Sequence, residues 1–259
     1  MASFIMNESG SDDELAMLRY LINFIYPPSC AACGVRMAID SRSRVCASCL
    51  GRVTRTDKRA CPVCGMSSGG DSNDTARLCS RCVASRPHYD AAYSITVYDT
   101  SDDAAPNPVA ALIRRHKYGL DQSIGRALAE YLDRPMPLPE EGCDVVMPVP
   151  LHRRRLRWRG FNQSALLGAA VARRIGRPLD VASLVRSRAT PPQTMRDRKE
   201  RARNVRGAFA VRHPARVAGR RILLVDDVMT TGATAEECAR VLKAAGARRV
   251  DVLTLARAL

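Results

Sequence analysis

The chain has 259 residues and a formal net charge of +15. That length predicts one catalytic-sized domain accompanied by a small module. Hydrophobic residues make up 46% of the chain, which excludes a fully disordered protein, whereas aromatic residues make up only 5%. The core must therefore consist mainly of Val, Leu, Ile and Ala, which is typical of a parallel α/β sheet.

The positive charge is concentrated in one segment. Between Pro150 and Arg221 there are 20 Lys or Arg residues against three acidic residues, a local net charge of +17. A block of this kind favours polyanionic partners, either a nucleic acid or a phosphorylated small molecule. A solvated, arginine-rich surface is the alternative that charge alone leaves open.

Residues 1–28 are predicted to form a disordered tail and a short helix. Residues 1–14 are too polar to fold on their own, and residues 15–26 form an amphipathic helix whose apolar face we expect to pack on the rest of the chain. Interrupted by Arg19 and Asn23, this stretch falls well below the roughly 20 apolar residues that cross a bilayer. Acidic residues also replace the basic start of a secretory signal. We therefore expect a cytoplasmic protein with no membrane insertion.

Eight of the ten cysteines occur as four CxxC pairs. The pairs are Cys30/Cys33, Cys46/Cys49, Cys61/Cys64 and Cys79/Cys82. Twelve residues separate the first two pairs and fourteen the last two, so we predict two successive four-cysteine zinc ribbons over residues 29–85. Whether the first and third pairs instead share one ion stays open. Whether the ribbons bind nucleic acid or protein also stays open.

The metal sites are predicted to be structural. Eight thiolates for two Zn²⁺ ions leave no open coordination position for a substrate or a water. Cys143 and Cys238 lie apart from the pairs, and we predict that both are buried as small hydrophobic side chains.

Residues 86–259 alternate between strand-like and helix-like segments. Strands are predicted over residues 92–98, 144–149, 182–186, 208–211, 221–225 and 249–255, and helices over residues 108–118, 122–133, 163–175 and 233–245. Strands that alternate with helices of this length indicate βαβ units. We therefore predict an α/β fold with a mostly parallel sheet flanked by helices, preceded by the small zinc-ribbon module.

The segment ILLVDDVMTTGAT at residues 222–234 carries a ligand-binding pattern. An apolar run leads into two carboxylates, Asp226 and Asp227, and then into a hydroxyl- and glycine-rich turn before a helix. Ligands of open α/β sheets bind beyond the carboxyl ends of the strands, and the amides of such a turn can bind a phosphate. The anion would repel the two carboxylates unless they accept hydrogen bonds from vicinal hydroxyls, as on a ribose.

VDDVMTTGAT resembles the 5-phosphoribosyl 1-pyrophosphate (PRPP) binding motif of type I phosphoribosyltransferases. Before it stand the four CxxC pairs, HKYG at 116–119, MPVPLHRRRLRWRGFNQS at 147–164 and RSRATPPQTMRDRKERARNVRGAF at 186–209. That order resembles the ComF family, competence-associated phosphoribosyltransferase-like proteins with a double zinc ribbon. The resemblance runs from about residue 27 to residue 259 and implies a type I phosphoribosyltransferase-like domain over residues 86–259.

The resemblance also implies roles for individual residues. Asp226 and Asp227 would be the catalytic pair that holds the ribose hydroxyls, and the 5′-phosphate would be bound by Met229, Thr230, Thr231, Gly232, Ala233 and Thr234. Pyrophosphate carried with Mg²⁺ would be bound by a loop that contains Pro150, His152, Arg153, Arg159, Gly160, Asn162 and Gln163. Residues 188–206 would form a lid over the site that contains Arg188, Gln193, Arg201 and Asn204.

Three functions fit these patterns. The first is a phosphoribosyltransferase that uses PRPP and Mg²⁺ on an acceptor that the sequence does not name, in a role linked to DNA uptake, competence or recombination. The second is a competence factor that binds single-stranded DNA through the basic segment and the ribbons, beside protein partners of the DNA-uptake machinery. The third is a PRPP-sensing regulator that keeps the site without catalysing transfer.

Overall fold

A computed structural model describes residues 17, 21–53, 60–66, 77–98, 107–118, 123–132, 137–139, 141–190 and 198–258. The helices are α1 (Ala47–Gly51), α2 (Ser80–Ala84), α3 (Pro108–Tyr118), α4 (Ser123–Leu132), α5 (Arg153–Arg159), α6 (Gln163–Ile175), α7 (Arg198–Val205) and α8 (Ala233–Ala244), with a 3-10 turn at Pro214–Arg216. The strands are β1 (Ala91–Tyr98), β2 (Val145–Pro148), β3 (Leu184–Arg186), β4 (Phe209–Val211), β5 (Arg221–Met229) and β6 (Arg249–Ala258). The predicted disordered residues 1–14 and the predicted lid residue Gln193 lie outside the described residues.

Four strands form a parallel sheet in the order β1-β6-β5-β2. The pairing of β2 with β5 begins at Val145↔Ile222, and β6 pairs with both β1 and β5. Because all four strands run in the same direction, their carboxyl ends meet at one edge of the sheet. The predicted α/β class with a mostly parallel sheet is confirmed.

The two central strands are longer than predicted. We expected β5 to end at Val225 and β6 at Leu255, but the ladder between them continues to the pair Met229↔Arg257. Asp226 and Asp227 therefore lie inside β5. The prediction was wrong because a pair of carboxylates usually marks the end of a strand, whereas here the partner strand continues and pairs with Asp226 and Val228.

Each face of the sheet carries one cluster of buried side chains, and each cluster includes one four-cysteine ribbon. Cys30 and Cys49 of the first ribbon are buried with α3 and α4, and Tyr131 on α4 donates a 3.2 Å hydrogen bond to the carbonyl of Cys49. Cys61 and Cys82 of the second ribbon are buried with α8. Successive residues of β5 alternate between the two clusters, so the ribbons pack on opposite faces of the sheet.

β3 and β4 form a separate two-stranded antiparallel sheet and do not join the parallel one. Their register runs from Leu184↔Val211 to Arg186↔Phe209, and the Arg186 guanidinium lies 5.2 Å from the centroid of the Phe209 ring. The predicted lid, residues 188–206, connects these two strands. Its two ends are therefore held beside each other.

Two helices, α5 and α7, lie in segments that were predicted to be loops. α5 begins after His152, whose side chain accepts a hydrogen bond from the amide of Arg154, and ends at Gly160. α7 forms the last part of the predicted lid. Arginine makes up five of the seven residues of α5, and α7 is rich in Arg, Lys, Glu and Ala. These residues have a high helix propensity, but both helices contain too few apolar residues to show a helical period in the sequence.

Residues 21–25 are helical as predicted, but their apolar side chains do not pack on the rest of the chain. Leu21, Phe24 and Ile25 are between 61% and 75% exposed. Asn23 instead attaches the segment by a 2.6 Å hydrogen bond to the carbonyl of Ile39. The prediction was wrong because helices α3 and α4 already fill the core beside the first ribbon. Within the described part of the chain, no helix combines the length and apolarity that crossing a membrane requires.

Substitution of the two glycines that follow the first and third CxxC pairs should have unequal effects on stability. Gly34 and Gly65 both have positive φ, but a Cβ at Gly65 would lie 2.8 Å from the carbonyl oxygen of Ala92, whereas a Cβ at Gly34 would meet nothing within 4 Å. Gly65→Ala should therefore lose about 1–3 kcal/mol more stability than Gly34→Ala, which has only the backbone cost. Calorimetric unfolding of the zinc-supplemented proteins measures this difference, and equal shifts in Tm would contradict the close packing of the second ribbon on β1.

Candidate functional site

The turn between β5 and α8 encloses a small cavity at the carboxyl edge of the sheet. It is lined by Asp226, Val228, Met229, Thr230, Thr231, Gly232, Ala233, Thr234, Ala235 and Thr254. Gly232 is the N-cap of α8 at φ +79°, and a Cβ there would lie 2.8 Å from Met229 Cε. The positive φ favours glycine at this position, and any other residue would also require the end of the Met229 side chain to move. The cavity combines a helix N-terminus with a carboxylate and hydroxyl groups, so it suits a phosphate that carries a hydroxylated group.

The two predicted catalytic carboxylates are half-buried and held by local hydrogen bonds. Asp226 Oδ1 accepts from Ser164 Oγ at 2.8 Å and from the amide of Asp227 at 2.9 Å. Asp227 Oδ1 accepts from the amide of Val228 at 2.7 Å. Ser164, in the first turn of α6, was missing from the predicted site. Its place directly after Asn162 and Gln163, in a polar run that opens a helix, was the signal that could have identified it.

Among the described lid residues, Arg201 contacts a residue that lines the cavity, and Arg188 and Asn204 act at the base of the lid. Arg201 on α7 donates a 3.0 Å hydrogen bond from Nη1 to Thr230 Oγ1. Arg188 donates to the carbonyls of Asn204, at 3.0 Å, and Arg206, at 2.6 Å. The structure thus brings the predicted lid and the predicted phosphate loop together through Arg201, whereas Arg188 and Asn204 fasten the two ends of the lid to each other.

The predicted pyrophosphate segment contains α5 and the start of α6. Asn162 caps α6 by accepting from the amide of Ser164, and its Nδ2 donates to the carbonyl of Val149 at 3.1 Å. Gln163 is buried, and its Nε2 has no hydrogen-bond partner among the described residues. Through Ser164, this end of the segment lies beside Asp226.

Three basic residues of that segment, His152, Arg154 and Arg155, line a second, larger cleft, whereas Arg153 and Arg159 do not line it. Pro150, His152 and Gly160 flank α5, while Arg153 and Arg159 lie on it. The cleft has a volume of about 410 Å³ and is lined by His152, Arg154, Arg155, Trp158, Arg186, Ala189 and Thr190. Trp158 is 64% exposed, so an indole ring stands among guanidinium groups at the surface.

The eight paired cysteines form two four-cysteine clusters, and the pairing follows the chain. Cys30, Cys33, Cys46 and Cys49 form one cluster, and Cys61, Cys64, Cys79 and Cys82 form the other. Within each cluster the sulfur atoms all lie within 4.8 Å of one another. Sharing of one site by the first and third pairs is thereby ruled out.

The sulfur positions fit zinc. A tetrahedral zinc ion with bonds of about 2.3 Å places its sulfur ligands about 3.8 Å apart. The Cys33 and Cys46 sulfurs are 3.8 Å apart, and the Cys64 and Cys79 sulfurs are 3.6 Å apart. The two remaining cysteines, Cys143 and Cys238, are buried as predicted.

In the first cluster, burial and the neighbouring thiols oppose the simultaneous ionisation of all four thiols. Burial opposes ionisation of Cys30, yet backbone N–H groups of Cys46 and Cys33 outweigh it and lower its pKa to about 6. Burial raises the pKa of Cys49 in the same cluster to about 12. A divalent metal would supply the charge that makes four thiolates stable together.

One contact joins the second ribbon to the phosphate cavity and has no counterpart in the sequence prediction. Arg81 on α2 donates a 2.7 Å hydrogen bond from Nη2 to the carbonyl of Thr231. The two residues are 150 positions apart in the sequence. No local pattern signals such a contact. Thr254, which lines the same cavity, could have been inferred from its place beside Asp226 in the parallel ladder.

Comparison with known proteins places the chain in a family. DNA utilization protein YhgH of Escherichia coli (strain K12) is 34% identical over 242 residues, which cover 90% of this chain and 98% of that protein. Competence protein F of Haemophilus influenzae is 29% identical over 228 residues, which cover 84% of this chain and 92% of that protein. The chain belongs to the ComF family.

The ComF assignment agrees with two domain models. Residues 21–83 match the double zinc ribbon domain, and residues 162–259 match the phosphoribosyl transferase domain. Among solved structures, glutamine PRPP amidotransferase from B. subtilis overlaps 61% of this chain and 29% of that chain, with 21% identity and a TM-score of 0.33. That overlap is too low to carry an argument about function.

The two clusters should bind zinc independently. We expect two zinc ions per chain by elemental analysis, and one in Cys46→Ser because three remaining thiols no longer complete its tetrahedron. Cys143→Ser and Cys238→Ser should each keep both ions. A single ion in the wild-type protein, or loss of an ion in Cys143→Ser, would contradict the assignment.

Proposed function

We propose that this ComF-family chain binds PRPP with Mg²⁺ at the carboxyl edge of its sheet and transfers the phosphoribosyl group to an acceptor. The observation that carries the proposal is the single cavity that joins Asp226 of β5 to the turn before α8. One wall offers a carboxylate to hydroxyl groups, and the other offers backbone amides and the positive end of a helix dipole to a phosphate. PRPP carries both groups on one ribose ring.

In the proposed complex, Asp226 and Asp227 accept hydrogen bonds from the ribose 2′- and 3′-hydroxyls. The 5′-phosphate lies against the backbone of residues 230–234. Ser164 keeps the Asp226 carboxylate in place through its 2.8 Å hydrogen bond. The ribose is thereby fixed at both ends, and the C1 atom points towards the basic segment that follows β2.

The transfer itself breaks the bond between ribose C1 and the pyrophosphate oxygen. Pyrophosphate leaves with the bonding electron pair, C1 passes through an oxocarbenium-like state, and the acceptor's lone pair forms the new bond. Mg²⁺ bound to pyrophosphate would neutralise the leaving charge, and Arg153 and Arg159 are the proposed cations beside it. Arg201 already contacts Thr230, so the lid segment is in place to exclude water from the site.

Asp227→Ala should abolish PRPP binding and leave the fold intact. The substitution removes a carboxylate that the proposal assigns to a ribose hydroxyl pair, and Asp227 is half-buried at the edge of the sheet. Isothermal calorimetry with Mg²⁺-PRPP measures the loss. Asp40→Ala, which removes the same charge from an exposed position in the first ribbon, should bind like the wild type. Equal affinity of the Asp227 variant and the wild type would contradict the ribose assignment.

Binding and turnover separate an enzyme from a PRPP sensor. An enzyme should release pyrophosphate from Mg²⁺-PRPP when the acceptor is present, and we expect that release to require Asp226 and Asp227. Saturable binding with no pyrophosphate release across a panel of nitrogen nucleophiles would favour the PRPP-sensing regulator instead.

The cleft beside α5 favours a second function, the binding of single-stranded DNA. Trp158 is exposed among Arg154, Arg155 and Arg186, which is the combination of an aromatic platform and cations that binds unpaired bases and their phosphates. The relatives named for DNA utilization and competence support this role. We propose that proteins of the DNA-uptake machinery are further partners. We also propose that the chain acts in the cytoplasm, where its cysteines, none of which is in a disulfide, stay reduced.

Binding of single-stranded DNA should weaken steeply as salt increases. Replacing Arg153, Arg154 and Arg155 with Gln should reduce the slope of log affinity against log salt by about 2–3, because each lost phosphate contact removes nearly one released counterion. Fluorescence anisotropy with a labelled oligonucleotide at several salt concentrations measures this slope.

The matched control removes three arginines at the opposite end of α6. Arg173, Arg174 and Arg177 are exposed near the amino edge of the sheet, so their replacement with Gln removes the same charge from another surface. This control should keep the wild-type slope. An equal reduction in both triple variants would mean that net charge, and not the cleft, binds the DNA.

A further inference from the structure

The second ribbon does more than cover the sheet, because one of its side chains contacts the phosphate cavity. Arg81 lies between the ligands Cys79 and Cys82, on the short helix α2. A metal bound by these cysteines would fix the backbone on both sides of Arg81. The direction of its side chain is therefore tied to the metal site.

Arg81 holds the turn that binds the proposed phosphate. Its Nη2 donates at 2.7 Å to the carbonyl of Thr231 and lies 3.4 Å from the position that a Cβ on Gly232 would occupy. Tyr89 Oη approaches the same position to 3.5 Å. The outer side of the turn is thus packed against the second ribbon and the segment that follows it.

A second set of contacts holds the first turn of α8 to the segment that precedes β1. His88, between the second ribbon and β1, donates its amide to Glu236 Oε2 at 2.9 Å, and its Nδ1 lies 2.5 Å from Glu236 Oε1. With Arg81 on Thr231, the segment 81–88 therefore contacts both sides of Gly232. The orientation of the helix N-terminus depends on that segment.

Beside the second ribbon lies a buried cation whose positive charge needs a negative charge nearby. Arg257 is 1% exposed, and its Nε and Nη1 have no hydrogen-bond partner among the described residues; the same holds for Tyr89 Oη. Its remaining described contact is from Nη2 to Met66 Sδ, at 3.9 Å. A zinc ion with four thiolate ligands carries a net charge of about −2 and would supply the missing negative charge beside Arg257 and Arg81.

The first ribbon provides an internal comparison. Its contacts are with α3 and α4: the Ser43 hydroxyl donates to Glu130 Oε2 at 2.5 Å and the amide of Arg44 to Glu130 Oε1 at 2.6 Å. Its position equivalent to Arg81 is Ser48, which is exposed. The two ribbons share their ligand set but differ in what they touch.

We propose that Arg81 is a positioning residue for the phosphate-binding turn, and that metal in the second ribbon, but not in the first, sets the affinity of that turn for a phosphorylated ligand. The identity of the ligand in this inference rests on the proposed PRPP site. The positioning of the turn by Arg81 involves only residues of this chain and does not depend on which ligand binds. Metal in the second ribbon holds Arg81 against Thr231 and balances the charge of Arg257. Loss of that metal releases the turn from its outer side.

The first test removes the Arg81 side chain without touching the cysteines. Arg81→Ala should bind Mg²⁺-PRPP about tenfold more weakly, because it loses a charge-assisted hydrogen bond to the turn, while its zinc content stays at the wild-type value. Arg81→Lys should recover part of the affinity, because an ammonium group can still donate to one carbonyl. Arg86→Ala, an exposed arginine of the same segment, should bind within about twofold of the wild type.

The second test compares one cysteine from each ribbon. Cys79→Ser and Cys46→Ser should each lose one zinc ion, but only Cys79→Ser should weaken Mg²⁺-PRPP binding, by about tenfold or more. Wild-type affinity in Cys79→Ser, or equal weakening in both variants, would overturn the proposal. If Cys79→Ser fails to fold, the test rests on Arg81→Ala alone. Wild-type affinity of Arg81→Ala for Mg²⁺-PRPP would then overturn the proposal.

A readout without PRPP separates this inference from the proposed function. Hydrogen exchange of the amides at 230–236 should be about tenfold faster in Arg81→Ala than in the wild type, with exchange in the first ribbon unchanged. If the wild type does not bind Mg²⁺-PRPP, the proposed function fails, while faster exchange in Arg81→Ala still supports the positioning role. Unchanged exchange at these amides would overturn that role.

Discussion

The turn at Gly232 is the constraint on which the candidate site depends. The backbone has to change from β5 to α8 within a few residues, with positive φ at Gly232, where a side chain would be strained and would displace the end of Met229. That geometry directs the start of α8 towards the carboxyl edge of the sheet. Asp226, four residues before the turn begins at Thr230, then shares a cavity with the helix N-terminus. The carboxylate of Asp226 and the backbone of the turn thereby line one cavity, which is the arrangement that the proposed ribose phosphate requires.

The parallel sheet supplies the second part of the site. Because β2 and β5 are neighbours and run in the same direction, the segment after β2 returns to the edge where β5 ends. Ser164 then contacts Asp226, and the arginine-rich helix α5 lies between the two strands in the sequence. In the proposed complex Arg153 and Arg159 lie beside the leaving pyrophosphate, whereas Arg154 and Arg155 of the same helix line the cleft that contains Trp158.

The two ribbons have different relations to this site, although their ligand sets are alike. The first ribbon extends the hydrophobic core on the face of the sheet that carries α3 and α4. Its contacts therefore contribute to the stability of the fold. The second shares the face of α8 and reaches the phosphate turn through Arg81. This contact is the route by which we propose that metal in the second ribbon affects ligand affinity.

The sequence predicted those features that depend on local patterns. The limits of α3 and α6 match the structure, because apolar period and N-terminal signals mark both helices, and the CxxC spacing predicted the two clusters in their correct pairing. It could not predict α5, whose arginines have no apolar period, or the extension of β5, which depends on the length of its neighbour β6. Contacts such as Arg81 with Thr231 depend on the docking of a ribbon on a sheet, so no local pattern encodes them.

The central claim is that one cavity binds both ends of a ribose phosphate, and a crystal structure of the protein with Mg²⁺-PRPP tests it most directly. The account predicts the 5′-phosphate within hydrogen-bond distance of the amides of residues 230–234 and the ribose hydroxyls on Asp226 and Asp227. Electron density for PRPP in the cleft beside Trp158, with the cavity before α8 left unfilled at saturating ligand, would contradict it.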